Sequence, residues 1–332
     1  MSEKPKTVSD LGERGLIRWF QDLITPFDQA LLIGTEDAVG VPFNGDALVV
    51  NSDMLVGSTD VLPGMTAGDI AWKAGVMGLS DLAAKGAAPM GIIVSLGFPK
   101  DTQANFVAAL VGGLNCVSLE HNTYYLGGDT NQCEELVINC TAVGRVPKKQ
   151  LIRRKGAKPG DIVAITGEFG YTGALFAALL QGYKEPSQTV ETIREKALRP
   201  YAKFCEGQTL SKEQVISSAI DSSDGLAWSL HELSAASRVG FRIDSLPIPK
   251  ICREFATKNG LDPVEFVLYG GEEFELIVTI PENLWSKAVQ VIEQRGKQLI
   301  KIGKATEEPL QVLKFNGEDR IIEPRGYEHF SK

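Results

Sequence analysis

The chain has 332 residues, 43% of them hydrophobic, so its length and composition predict two domains with a full apolar core. Its formal net charge of −8 disfavours nucleic acid and anionic membranes as partners, although a nucleotide remains possible where metal ions supply positive charge. No apolar run is long enough to span a bilayer, and no signal-peptide core follows the polar N-terminus, so we expect a cytoplasmic protein.

Several common catalytic motifs are absent from the sequence. The five cysteines form no C-x-x-C pair and the three histidines form no H-E-x-x-H, which disfavours a zinc hydrolase. The sequence also lacks the G-x-x-x-x-G-K-[ST] of P-loop enzymes and the H-R-D and D-F-G of protein kinases. Gly167, Gly170 and Gly173 do not have dinucleotide-binding spacing, which favours a tight strand-to-helix turn. A phosphate site in this chain would need another design.

The first half of the chain predicts a hairpin followed by a long buried helix. Asn44-Gly45 predicts a type I′ turn in a hairpin from Ala38 to Asp53. Thr66 and Asp69 have capping-box spacing at the start of a helix rich in Ala, Leu, Val and Met. The other elements predicted in this half are helices over 10–24 and 107–119 and strands over 123–126 and 136–143.

A basic segment from Arg145 to Gly156, which contains Pro147, is the predicted domain boundary. It divides the chain into domains of residues 1–148 and 149–332. Strands and helices alternate on both sides of it, which favours an α/β or α+β fold. The elements predicted after the boundary cover 161–166, a helix to about 180, and then 214–220, 226–237, 265–269, 275–280, 284–296 and 298–303.

Aspartates at the ends of apolar segments, or inside them, are the most informative feature. Asp37 precedes the first hairpin strand and Asp53 follows the second, so one register places both at the same end of the sheet. Asp81 lies in the middle of the apolar helix, although Asp is a poor helix former. Carboxylates crowd together in apolar surroundings when a cation neutralises them, and such cations can hold a polyphosphate. The sequence therefore predicts a magnesium and phosphate site.

Each acidic motif also has a plain structural explanation. Asp81 could be exposed, or paired with Lys73 or Lys85. Asp129, which follows two glycines, could belong to an ordinary turn. Ser223 or Asp224 in the D-S-S-D-G segment could simply cap the following helix.

Three later residues have two possible roles each. Arg154 either lies in a solvated linker or reaches a phosphate. Glu272, in G-G-E-E-F-E-L, either lies in a solvated turn or faces a cationic substrate. Tyr327, near the C-terminus, either closes the core or stacks on a ligand ring.

Together these motifs resemble the thiamine-monophosphate kinase family, which belongs with aminoimidazole ribonucleotide synthetase, selenophosphate synthetase and the hydrogenase-maturation dehydratase. The resemblance covers nearly the whole chain. It rests on S-D-L-A-A-K-G-A-A-P from Ser80, G-G-D-T from Gly127, R-K-G-A-K-P-G-D from Arg154, D-S-S-D-G-L from Asp221, G-G-E-E-F-E-L from Gly270 and the terminal G-Y-E-H-F. The last two motifs indicate the kinase branch rather than its relatives.

The resemblance implies a two-domain synthetase/kinase fold in which the N-terminal domain dimerises through a shared β-barrel and a C-terminal α/β domain covers it. It also implies that ATP lies near the dimer interface, with its phosphates held by Mg²⁺ ions. The implied metal ligands are Asp37, Asn51, Ser52, Asp53, Asp81, Asp129, Asp221 and Asp224. The implied ATP contacts are Gly128, Asp129, Arg154 and Ser223, and the implied substrate contacts are Asp60, Glu272 and Tyr327.

The chain departs from the family pattern in three places. Thr35-Glu36-Asp37 stands where the family commonly has G-D-D, and Glu273-Phe274 replaces an Asp-Tyr pair. Asp60 occupies the place of a substrate-contacting histidine. The Asp60 departure falls on the phosphate-acceptor side of the pocket that the resemblance implies.

The predicted function is the ATP-dependent phosphorylation of thiamine monophosphate to thiamine diphosphate. The accepting phosphate is already anionic, so we expect in-line transfer by positioning and metal charge alone, with no protein side chain as acid, base or nucleophile. The enzyme alternative is a synthetase like aminoimidazole ribonucleotide synthetase. The non-enzyme alternative is a nucleotide-binding regulator without turnover.

Overall fold

The computed structural model describes residues 7–25, 27–183, 187–315 and 317–330. The elements of the first half, in chain order, are α1 (Val8–Leu23), β1 (Val39–Phe43), β2 (Asp46–Val56), a short α2 (Gly57–Asp60), α3 (Ala67–Ala84), β3 (Ala88–Phe98), α4 (Ala104–Glu120), β4 (Tyr125–Gln132) and β5 (Val137–Pro147). Their strands form one five-stranded sheet of order β1-β2-β5-β3-β4. The helix α3 packs against this sheet and against α4, which buries most of its Ala, Leu and Val side chains.

The hairpin and the long helix predicted from the sequence are confirmed. Asn44 and Gly45 both have positive φ, 46° and 90°, and Phe43 pairs with Asp46 across the turn, as a type I′ hairpin requires. Thr66 and Asp69 form the capping box of α3, with each side chain accepting the other residue's backbone N–H. These local signals agree with the structure because they depend on neighbouring residues alone.

The second half contains a larger sheet with helices packed on it. Its elements are β6 (Ile162–Ile165), α5 (Tyr171–Leu180), α6 (Ser187–Ala197), α7 (Phe204–Glu213), β7 (Ser218–Asp221), α8 (Leu226–Ser237), β8 (Gly240–Ile243), α9 (Lys250–Asn259), α10 (Pro263–Tyr269), β9 (Leu276–Ile280), α11 (Trp285–Glu293), β10 (Ile300–Thr306), β11 (Gln311–Phe315) and β12 (Glu318–Ile321). The sheet has the order β12-β11-β8-β10-β6-β9-β7. The fold is therefore mixed α/β, and each half has its own sheet.

Two strand boundaries differ from the sequence prediction. The strand β2 continues to Val56, so Asp53 lies inside the strand rather than after it. The strand β4 continues through Asp129 to Gln132, so the G-G-D segment is extended strand and not a turn. Both strands run on because neighbouring strands pair with them along these residues.

The first sheet is open in the described part of the chain. Its edge strands β1 and β4 do not pair with each other, so the described residues contain no closed barrel. No helix among the described residues is long and apolar enough to cross a membrane. A barrel shared with a second copy of the chain therefore stays a hypothesis at this point.

Candidate active site

Three aspartates from distant parts of the sequence converge where the two halves of the chain meet. Asp37 comes from the loop before β1, Asp81 from the last turn of α3, and Asp221 from the end of β7. Each offers a carboxylate oxygen, and these oxygens lie within 4.8 Å of one another. The Ser80 hydroxyl donates to Asp221 Oδ2 at 2.8 Å and so links α3 to the second sheet. We call Asp37, Asp81 and Asp221 the acidic cluster.

Repulsion and burial work against the charges of this cluster. Burial, with Asp221, Asp53 and Asp37 nearby, raises the pKa of Asp81 well above its usual value. Burial and Asp37 raise the pKa of Asp221 to about 6. Burial also raises the pKa of Asp53, which accepts a hydrogen bond from Asn51 Nδ2 at 2.8 Å. The protein therefore holds these carboxylates in an arrangement that is unfavourable without added positive charge.

Asp37 forms direct ion pairs with two cationic side chains of the protein, Lys85 and Arg154. Burial acts to raise its pKa, but Arg154 and Lys85 hold the pKa of Asp37 below its usual value. Lys85 Nζ lies 2.5 Å from Asp37 Oδ2 and 2.5 Å from Glu36 Oε2. The side chain of Lys85 is fully buried. Arg154 donates from Nε to Asp37 Oδ1 at 2.8 Å, and its backbone N–H donates to Glu36. Arg154 is therefore part of the site and not a solvated linker.

The donor set of the acidic cluster fits a divalent cation. It consists of carboxylate oxygens close enough to share one ion, as Mg²⁺ prefers. The structural alternative for Asp81 is wrong, because Lys85 pairs with Glu36 and Asp37, Lys73 pairs with Glu272, and Asp81 faces other carboxylates. Asp37, Asp81 and Asp221 could thus hold a metal ion together, with Asp53 near Asp81.

The loop that follows β7 brings Asp224 near the cluster without joining it. Arg14 of α1 donates to Asp224 Oδ2 at 3.0 Å and contacts Glu232 Oε1 at 2.5 Å. The guanidinium of Arg14 also stacks 3.7 Å from the ring centre of Trp228. Burial raises the pKa of Asp224 to about 6, partly offset by Arg14. Ser223, beside it, uses its backbone carbonyl to accept from Glu272 N at 2.7 Å.

A cavity of about 740 Å³ opens beside the acidic cluster. Most residues predicted to bind metal, ATP or the accepting substrate line this cavity. Those of them that line it are Ser52, Asp53, Asp60, Asp81, Asp221, Ser223, Asp224, Glu272 and Tyr327.

Glu272 reaches the cavity through an unusual backbone conformation. Its φ is 66°, a left-handed value that is costly for a residue with a side chain. The backbone N–H of Glu272 donates to Ser223 O at 2.7 Å, and that of Phe274 donates to Ser222 O at 2.9 Å, which holds the segment in place. The carboxylate Oε1 of Glu272 lies 2.5 Å from Lys73 Nζ. The motif is therefore a fixed part of the cavity wall and not a solvated turn.

Asp60 stabilises the junction between β2 and α2. It is buried, and its Oδ2 accepts hydrogen bonds from Val56 N at 2.7 Å and Thr59 Oγ1 at 3.0 Å. These bonds hold the chain where β2 turns into α2. The backbone carbonyl of Asp60 also accepts from Lys73 Nζ at 2.6 Å. The oxygen Oδ2 of Asp60 is thus used by the protein, and the residue also lines the cavity where the resemblance implies a substrate contact.

The C-terminal tail docks on the body and brings Tyr327 to the cavity. The backbone N–H of His329 donates to Glu13 Oε2 of α1 at 3.0 Å, and Tyr327 packs edge-on against the His329 ring. Burial, with Asp60 and Glu272 nearby, raises the pKa of Tyr327. The ring of Tyr327 therefore lies close to Asp60 and Glu272.

The structure does not bring Gly128, Asp129 and the hydroxyl of Ser52 to the acidic cluster. Gly128 and Asp129 are exposed on the edge strand β4 and do not line the cavity. A Cβ at Gly128 would lie 1.7 Å from Val94 O, so close strand pairing alone requires glycine there. Ser52 lies on the opposite face of β2 from Asp53 and uses its hydroxyl on Asn139 at 3.1 Å.

Four charged residues of the site were not among the sequence predictions for it. They are Arg14, Glu36, Lys73 and Lys85. The sequence does carry a signal for the two lysines, because each interrupts the apolar pattern of α3 or its end. Their partners are distant in the sequence, so spacing alone could not identify the pairs.

The raised pKa values predict how pH affects the metal-free protein. The folded state binds the protons of Asp81 and Asp221 more tightly than the unfolded state, so their contribution to stability is lost as pH rises through about 6. We expect the melting temperature in EDTA to rise by at least about 2 °C between pH 8 and pH 5.5. Stabilisation by added Mg²⁺ should show the opposite trend and be larger at pH 8. Thermal melts at both pH values check this, and a larger Mg²⁺ effect at pH 5.5 would contradict it.

The sequence matches one protein family over most of its length. Residues 35–146 match the family described as AIR synthase related protein, N-terminal domain, and residues 158–316 match its C-terminal domain. The chain is 38% identical to the thiamine-monophosphate kinase of Pyrococcus horikoshii over 83% of this chain and 85% of that protein. It is 31% identical to the thiamine-monophosphate kinase of Synechococcus elongatus over 98% of each chain.

The fold matches a solved structure along almost its whole length. The structure of AaThiL complexed with AMPPCP and TMP superposes with a TM-score of 0.86 and covers 99% of this chain and 100% of that one. The two sequences are 24% identical. The similarity supports the mixed α/β architecture described above.

Proposed function

Since the chain belongs to the thiamine-monophosphate kinase family within the AIR synthase-related proteins, we propose that it phosphorylates thiamine monophosphate with ATP. One observation carries this proposal beyond family membership. Asp81 and Asp221 of the acidic cluster line the same cavity as Glu272 and Tyr327, so a nucleotide phosphate and an acceptor could meet there. The chain is thus an enzyme with a phosphate group as acceptor, and the product is thiamine diphosphate.

Magnesium is the metal that this donor set suits. Asp37, Asp81 and Asp221 would hold it, with Asp53 beside them, and the ion would neutralise charge on the transferred phosphoryl group. Asn51 supports the site by its hydrogen bond to Asp53. Ser52 and Asp224 would contribute through the backbone or after a rearrangement, because their side chains bond elsewhere.

Positioning and charge would supply the catalysis. The acceptor phosphate is anionic at neutral pH, so an in-line attack on the γ-phosphoryl group needs no strong base. The fixed carboxylates, Arg154 and Lys85 set the local charge before substrates arrive. Ser223, which lines the cavity, would contact ATP.

The acceptor carries a cationic thiazolium ring, which the cavity is suited to bind. Glu272 offers a carboxylate there, and Tyr327 offers an aromatic face. Asp60 would shape this part of the cavity through the turn that it holds rather than by direct contact.

A homodimer would explain why the outer face of the first sheet exposes apolar side chains. The face turned away from α3 exposes large apolar side chains on four of its strands, which a monomer rarely leaves uncovered. They are Val39, Phe43, Met54, Met90, Ile93 and Leu126. We propose that a second copy covers this face and completes a shared barrel. Gly128 and Asp129, on the edge strand of the same sheet, would then lie at the interface near the partner.

A single charge on this face should dissociate the dimer. Ile93 is 42% exposed on β3, an interior strand of the sheet, and an Asp there would be buried without a partner in the dimer. We expect Ile93→Asp to give the monomer mass by light scattering, whereas Ile321→Asp on the second sheet gives the wild-type mass. A monomeric wild-type protein would disprove the proposal.

The function is tested by coupled ADP release. We expect ADP to form with ATP, Mg²⁺ and thiamine monophosphate, and thiamine diphosphate to appear in equal amount. ADP formed only with a ribonucleotide amide precursor would favour the synthetase alternative. ATP binding without turnover on any acceptor would favour the regulator. The domain boundary at 148 and the cytoplasmic location stay predictions from the sequence.

A further inference from the structure

Lys73 is an unusual component of the cavity wall. Among the described residues that line the cavity, Lys73 is the only lysine or arginine, whereas several are acidic. It sits inside α3, and its side chain is 6% exposed. A buried lysine is costly unless its ammonium is paired and hydrogen-bonded, so its presence calls for a specific reason.

The contacts of Lys73 join two parts of the acceptor region. Its Nζ lies 2.5 Å from Glu272 Oε1 and donates to the Asp60 carbonyl at 2.6 Å. An ammonium has three donors, and these two contacts use two of them. The side chain of Glu272 is 28% exposed, so the pair opens on the cavity at its carboxylate end.

This arrangement creates a difficulty for the acceptor. A carboxylate already neutralised by an ammonium attracts a cationic ring only weakly. Glu272 can serve the thiazolium well only if Lys73 receives another anion at the same time. The acceptor brings that anion itself, since thiamine monophosphate carries a phosphate as well as a positive ring.

We propose that Lys73 binds the phosphate of thiamine monophosphate while Glu272 turns to its cationic ring. The cavity wall holds an internal ion pair, and each charge of the substrate would replace one half of it. The exchange leaves no buried charge unpaired, which keeps its cost low. A ligand with only the ring, such as thiamine, must instead compete with Lys73 for Glu272. Lys73 is thus a specificity-determining residue for a phosphorylated acceptor, and this inference rests on the function proposed above.

The proposal is tested by comparing two ligands that differ in the phosphate. Binding of thiamine monophosphate and of thiamine is measured by calorimetry in wild-type protein, Lys73→Met and Lys73→Arg. We expect Lys73→Met to weaken the binding of thiamine monophosphate roughly tenfold or more, because a charge-assisted hydrogen bond to its phosphate is lost. Thiamine binding should stay equal or become tighter, because Glu272 is released. Lys73→Arg should remain close to wild type for both ligands.

A second pair of variants controls for damage to the fold. Lys73→Met leaves Glu272 without its partner, so the double variant Lys73→Met with Glu272→Gln is compared with Glu272→Gln alone. Adding Lys73→Met to Glu272→Gln should still weaken the binding of thiamine monophosphate and leave the binding of thiamine unchanged. Equal weakening of both ligands, or of neither, would overturn the role of Lys73. Failure of the wild-type protein to bind thiamine monophosphate at all would instead overturn the proposed function.

Discussion

Replacing Asp81 with Asn is expected to lower turnover by about 10³-fold or more while making the metal-free protein more stable. Asn keeps the shape of Asp but removes one negative charge from the acidic cluster. The cluster then offers a cation less charge, so metal binding and phosphate neutralisation both weaken. In the absence of metal, the same change relieves the repulsion that raises the pKa values of Asp81 and Asp221. Activity and stability should therefore change in opposite directions.

Two measurements check this result. Coupled ADP release at saturating ATP, thiamine monophosphate and Mg²⁺ gives the turnover, and a thermal melt in EDTA gives the stability. Asp101→Asn is a matched control, because Asp101 is exposed in a turn of the same half of the chain. Near-normal turnover of Asp81→Asn would disprove the metal site. A melting temperature below that of the wild type would show that Asp81 has a structural role instead.

Replacing Lys85 with Met should produce the largest loss of stability. The ammonium of Lys85 is fully buried and lies 2.5 Å from carboxylate oxygens of both Glu36 and Asp37. Its removal leaves two acidic groups with less compensating charge, and breaking a buried pair of this kind costs about 3–5 kcal/mol. We expect a corresponding decrease in the free energy of unfolding, measured by urea denaturation in EDTA.

The double variant Lys85→Met with Glu36→Gln separates charge from packing. It removes one carboxylate along with the lysine, so we expect it to recover part of the lost stability. Added Mg²⁺ should also stabilise Lys85→Met more than the wild type, because the ion supplies the missing positive charge. Lys100→Met, at an exposed position, should behave like the wild type. No recovery in the double variant would mean that the loss comes from packing alone.

Elements specified by neighbouring residues were predictable from the sequence. The Asn44-Gly45 turn and the Thr66 capping box depend on local backbone geometry, and both agree with the structure. The extent of β2 past Asp53 was not predictable, because it depends on pairing with β5. The convergence of Asp37, Asp81 and Asp221 followed from the resemblance, whereas their pairing with Lys85 and Arg154 required the tertiary structure.

The acceptor region was the least predictable part of the site. The resemblance indicated that Glu272 faces the substrate, but not its positive φ or its ion pair with Lys73. Asp60 was expected to contact the substrate in place of a histidine. That contact stays a prediction, and the structure adds that Asp60 Oδ2 accepts hydrogen bonds from Val56 and Thr59, a use that depends on the short helix α2.

The hydrogen bond from Ser80 to Asp221 has a consequence for how substrates enter. It joins α3 to β7 through Asp221, a member of the acidic cluster, and both residues are buried. Opening the two halves like a hinge would pull the cluster apart and leave both groups without partners. We therefore expect substrates to enter and leave through the mouth of the cavity. The radius of gyration in solution scattering should then be the same whether or not nucleotide is present. An inhibitor for such a pocket would have to fit an opening of nearly constant width.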